Sequence, residues 1–186
     1  MEADWSVEIG ADLPMIVVPW ASFIDLRLEP AAAYHLQEAV AIPALAQALT
    51  QLNQEPSAIF TSKCDFWPIG TSEIDPLEFA ATPENAKHGI ACYIDIIARD
   101  ESLFTSFPAH EVLARSIVDE LRGVELTQSR VELVIRPAIV DEHEGFAFTL
   151  YVAACGLTED AARAIFKSAL EAATPITMKQ AATAGE

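Results

Sequence analysis

The stretch "SRVELVIRPAIVDEHEGFAFTLYVAACG", Ser129–Gly156, holds two long segments of alternating character around a short polar break. In the first arm Val131, Leu133 and Ile135 alternate with Glu132, Val134 and Arg136; in the second, Phe148, Leu150 and Val152 alternate with Thr149 and Tyr151. A period of two, carried by β-branched and aromatic residues, is the signature of strands with one buried and one open face. "DEHEG", Asp141–Gly145, is a polar hairpin connection ending in glycine.

Helical patterns flank this ribbon. "PAHEVLARSIVDELRG" precedes it, with Leu113, Ile117 and Leu121 in one stripe, Pro108 near the start and Gly123 at the close. "TEDAARAIFKSALEAA" follows it; Thr158 is a natural N-cap, and Ala162, Ile165, Phe166, Ala169, Leu170 and Ala173 mark the buried face. Farther out, "GIACYIDIIARD" and "SAIFTSKCDFW" read as strands. Ala31–Asn53 is helical by composition, and Pro43 either kinks it or opens a second helix. "WSVEIG" and "MIVVPWASFIDLRL" read as extended, with Pro19 at a bend or an edge. Residues 68–88 form an irregular connector relieved by a short helix around "DPLEFA".

The expected fold is therefore α+β. It has a mixed, largely antiparallel sheet of about five or six strands, with helices mainly on one face. Residues 1–174 make one domain, and 175–186 are expected to form a flexible C-terminal tail. "SFIDL" and "CYIDI" would open similar strand–helix–strand units, in residues 5–67 and 89–173 joined by the connector. Two explanations stand side by side: a duplication of βαβ units of ferredoxin-like type, and a coincidence between short strands that draw on few residue types.

Bulk composition narrows the function classes. In 186 residues, 52% are hydrophobic and 21% charged, a globular balance. The formal net charge of −17, with 11 basic residues scattered among 28 acidic ones, disfavours nucleic acid and anionic membrane surfaces as partners. The acidic start lacks the apolar core of a signal peptide, and no apolar run reaches membrane-spanning length. Cys64, Cys92 and Cys155 form no CxxC pair, which suits a reducing cytoplasm. No HExxH, Gly-rich phosphate loop or GxSxG occurs, so neither a metal nor a cofactor is expected. His110 is expected to cap a helix or lie exposed, and the acidic turn around His143 to be solvated rather than ligating.

"TSKCDFW", Thr61–Trp67, is the stretch richest in chemical groups. Alternation puts Phe60, Ser62, Cys64 and Phe66 on one side and Ile59, Thr61, Lys63, Asp65 and Trp67 on the other. Cys64 then behaves as a small buried hydrophobe rather than a reactive thiol. Applied throughout, alternation gathers Asp25, Lys63, Asp65, Trp67, Tyr93, Asp95, Arg136 and Tyr151 on the face opposite the helices. Three readings of this face are open. It is a solvated face with cross-strand ion pairs; or a surface for a protein, a second copy or a small ligand; or a catalytic face in which Asp25 and Asp95 form a carboxylate pair assisted by Lys63. Among functional readings a non-enzymatic binding or assembly module, with a homodimer as one form, leads over a small enzyme; a scaffold without ligand is the third class.

Overall fold

The computed structural model describes residues 1–10 and 12–185. In chain order the elements are β1 (Glu2–Val7), β2 (Ile16–Val18), α1 (Gln37–Val40), α2 (Pro43–Asn53), β3 (Ile59–Ile69), β4 (His88–Ala98), α3 (Glu101–Phe104), α4 (Phe107–Arg122), β5 (Ser129–Val140), β6 (His143–Gly156) and α5 (Glu159–Ala184). The sheet has six strands in the order β1-β5-β6-β4-β3, and β2 continues the β1 edge farther along β5. Pairings β5–β6, β6–β4 and β4–β3 are antiparallel; β1 and β2 run parallel to β5.

The β5–β6 ribbon forms as its alternation predicts, with Leu133 opposite Leu150 and Ile135 opposite Phe148. Its turn is tighter than the sequence suggested. Asp141 and Glu142 alone make it, both left-handed (φ 47° and 73°), the two-residue geometry that matches strand twist. His143–Gly145 belong to β6, and Gly145 serves close packing, since a Cβ there would lie 2.6 Å from the Phe104 carbonyl oxygen.

Helices α2, α4 and α5 cover one flank of the sheet. Their apolar stripes meet Ile94, Leu133, Leu150 and Val152 in the main core, where Phe166 is 1% exposed. Pro43 opens α2, so the helical stretch breaks there rather than kinking. Ser106 and Thr158 cap α4 and α5 by accepting from the amides of Ala109 and Ala161. His110 departs from expectation. Because Ser106 supplies the cap, the ring turns inward, 4.9 Å from Phe148 and 1% exposed, and burial lowers its pKa.

Among the described residues no helix covers the centre of the opposite flank, and chain segments close both its ends. At one end the connector makes two short 3-10 turns, Thr71–Glu73 and Pro76–Phe79, the second over the "DPLEFA" stretch. Its Ile74, Phe79 and Ala86 pack on Cys155 in a small separate core. At the other end β2 curls toward β3, and Ile16 and Val18 join Phe60, Ile97 and Ala147.

Three expectations change. "SFIDL" is not a strand; Ser22–Leu28 runs through turns, because the Asp25 carboxylate holds the backbone N–H and the guanidinium of Arg27. Its likeness to "CYIDI", at the heart of β4, therefore does not extend to structure, and the topology lends the ferredoxin-like duplication no support. Residues 175–184 are helical where a flexible tail over 175–186 was expected, and Glu186 lies outside the described residues. Helix α5 continues through Pro175 to Ala184 because Thr177 and Ala181 are buried and Glu120 accepts from Lys179 and Gln180.

Candidate functional site

Alternation in β3 breaks at its middle. Thr61 pairs with Ile96 and Cys64 with Ile94, so Ser62 and Lys63 together oppose the single residue Asp95. This β-bulge shifts the pattern by one. Ile59, Cys64 and Phe66 share the helix-covered flank, while Phe60 joins the apolar cluster on the other flank. The strict assignment of Ile59 and Thr61 to the side of Asp65 and Trp67 is corrected accordingly. Thr61 is instead locked to α2, its amide donating to Asn53 Oδ1 at 3.0 Å and its hydroxyl accepting from Asn53 Nδ2 at 2.7 Å.

Beyond the bulge the two strands are in register, and a row of rings crosses the open flank. Asp65 pairs with Tyr93 and Tyr93 with Tyr151. The Trp67 and Tyr93 rings lie 6.4 Å apart and those of Tyr93 and Tyr151 6.1 Å apart, within the range of favourable tilted contact. Trp67 ends the row at 37% exposed.

A polar chain runs beside this row. Arg136, whose side chain is 11% exposed, donates to Glu8 at 2.7 Å, to the Thr149 hydroxyl at 3.0 Å and to the Tyr151 hydroxyl at 3.3 Å. The Thr149 hydroxyl in turn donates to Asp95 Oδ1 at 2.7 Å. Asp95 is only 6% exposed, yet no cation among the described residues forms an ion pair with it. Burial pushes its carboxyl upward, opposed by the Thr149 hydrogen bond and by the charges of Arg136 and Lys63. Burial, then Asp95 and Asp65, push the neighbouring Tyr93 phenol up to about 12.

Seven of the eight residues gathered by alternation stand on strands β3 to β6; Asp25 stands on none and lies in the Ser22–Leu28 turn segment. Its partner is Arg27 at 2.7 Å, and the guanidinium lies 4.4 Å from the Phe60 ring centre. Arg27 holds the Asp25 carboxyl below its ordinary value, and Asp95 has Thr149 instead. The two acids share no hydrogen-bond partner among the described residues. Lys63 leans away from the row, its ammonium 5.2 Å from the Trp20 ring centre. Burial pushes the Cys64 thiol up to about 12 and raises Cys92 and Cys155 as well, which leaves all three protonated at neutral pH.

Sequence reasoning missed Glu8, Thr149 as a relay, and Trp20. The alternation of Asp4, Ser6 and Glu8 hinted at the first, but its meeting with Arg136 depends on the parallel β1–β5 register. Trp20 lies in a turn, where periodicity carries no information.

The raised Asp95 carboxyl gives a signed prediction. Where the folded pKa exceeds the unfolded value of about 3.9, the folded chain holds the extra proton, so stability falls as pH rises through that window and stays lower above it. Asp95→Asn is expected to raise stability at pH 7 by about 1 kcal/mol. The gain should shrink as pH falls into the ordinary carboxylate range. Urea unfolding of both chains at several pH values measures it, and a variant less stable at pH 7 would show that Asp95 is compensated.

No family model, curated protein or solved structure matches the chain. Among the described residues, no group of three or more His, Cys, Asp or Glu side chains converges as a metal site, and no helix is long and apolar enough to cross a membrane.

Proposed function

We propose that the protein is a non-enzymatic binding or assembly module whose contact surface is the helix-free flank of its sheet. The observation that carries this reading is the ring row Trp67–Tyr93–Tyr151, half exposed on the helix-free flank with Asp65 opposite Tyr93. Rings on an open sheet face offer contact area at low entropic cost, and an acid without a cation partner is a place for one. The net charge of −17 turns the surface away from nucleic acid and anionic membranes. Three free cysteines fit a reducing cytoplasm. In the assembly form of this reading the partner is a second copy of the chain.

Sedimentation velocity over a concentration series tests the assembly form. The wild type is expected to show a reversible dimer, and Trp67→Ala with Tyr93→Ala to shift the equilibrium to monomer. A wild type that stays monomeric at the highest concentration, or a double variant that dimerises equally well, removes it.

A further inference from the structure

A cavity of about 320 Å³ opens beside the β-bulge, under the chain that crosses from β2 to α1. Trp20, Glu38, Ser62, Lys63, Asp65 and Tyr93 supply its chemistry. Two carboxylates face one ammonium there, and neither Glu38 nor Asp65 forms an ion pair with a described residue. Asp65 uses one oxygen to accept from the Phe66 amide at 2.7 Å, which leaves the other open. Asp95 stands directly across from the bulge and adds to the negative field. The rings complete the pattern, for Trp20 already carries the Lys63 ammonium over its face and Tyr93 presents a second ring.

We propose that this cavity binds an aliphatic primary ammonium group, held by the open oxygen of Asp65 against the Tyr93 ring. An ammonium has three donors and no acceptor, which matches a carboxylate oxygen beside the face of an aromatic ring. Lys63 occupies the Trp20 side, so the guest takes the Asp65 side. The inference rests on reading this flank as a binding surface and names its ligand chemistry. A free alkylamine and the lysine side chain of a partner segment present the same group.

The test is an NMR titration of the ¹⁵N-labelled chain at constant ionic strength. The probes are n-butylammonium chloride, the neutral isostere n-butanol, and a blocked Gly-Lys-Gly peptide. The expected result is saturable shifts centred on Ser62–Asp65 and Tyr93 with the ammonium and not with the alcohol. Asp65→Asn, an exposed and isosteric change, should weaken binding about tenfold, the loss of one charge-assisted contact. Tighter binding of the peptide than of butylammonium identifies a lysine-bearing partner as the source, and the reverse order a free amine. Shifts that do not saturate, equal binding of butanol, or an Asp65→Asn chain that binds unchanged each overturn the proposal. Failure here, with dimerisation still sensitive to Trp67 and Tyr93, would strike the ligand assignment and leave the contact surface standing.

Discussion

Replacing Phe166 by alanine is expected to remove about 3–5 kcal/mol of stability, a large share of what a domain of this size possesses. Phe166 is the largest of the side chains buried to below 2% exposure, and it lies on α5 in the main core. Helix α5 packs on β4, β5 and β6 and also against α2 and α4, so the cavity left behind would sit where the helical layer meets the sheet. Partial collapse would be hindered by the small neighbours Ala162, Ala169 and Ala173, which bring backbones close and leave little side chain to move inward. Urea unfolding followed by far-ultraviolet circular dichroism measures the loss. A midpoint shift equivalent to less than about 1 kcal/mol would mean that α5 is not the principal cover of the sheet.

Gly156→Ala is expected to cost about 3 kcal/mol, the upper end of ordinary overpacking. The residue ends β6 and faces the first turn of α5. A Cβ built there would stand 2.6 Å from the Ala162 amide nitrogen and 2.9 Å from the Ala161 carbonyl carbon. Those atoms are backbone, so no rotamer change relieves the clash; the helix start itself must shift. That start is fixed by Thr158, whose hydroxyl accepts from the Ala161 amide at 3.2 Å and whose carbonyl accepts from Ala162 at 3.0 Å. Glycine serves here through its size, because its φ is not positive. Thermal unfolding checks the effect, and a melting temperature equal to that of the wild type would show that α5 can stand off from β6 without loss.

These two sites lie in the part of the molecule that the sequence displayed most clearly. Period two across Ser129–Gly156 and the apolar stripes of α4 and α5 state the same partition from both sides of the core, so the one-flank helical layer could be read before any coordinates. Legibility ended wherever the decisive interaction was not periodic. The bulge opposite Asp95 is one residue out of step, and no run of residue types announces it, yet it resets every later side chain of β3. The stretch "SFIDL" has strand composition, but the Asp25–Arg27 contact closes a local turn that competes with pairing. A flexible tail was expected from residue 175, yet burial of Thr177 and Ala181 holds α5 together past Pro175 and outweighs the one hydrogen bond a proline removes.

The candidate site was legible to the same degree. Asp65, Trp67, Tyr93, Asp95, Arg136 and Tyr151 follow from alternation alone once strands β3 to β6 are accepted, and the structure brings them to one flank. Their mutual order could not be read, since it depends on β6 lying between β4 and β5. That order places Tyr93 beside Tyr151 and Asp95 beside Thr149.

The two flanks of the sheet differ in their cover, and paired unfolding experiments measure that asymmetry directly. Urea midpoints of Phe166→Ala and of the double variant Trp67→Ala with Tyr93→Ala should be determined side by side at a protein concentration where the chain is monomeric. The helical side is predicted to give the large loss and the ring row a loss of about 1 kcal/mol, the worth of a half-exposed diagonal aromatic pair. A double variant as unstable as Phe166→Ala would mean that Trp67 and Tyr93 are core side chains and that no open face exists.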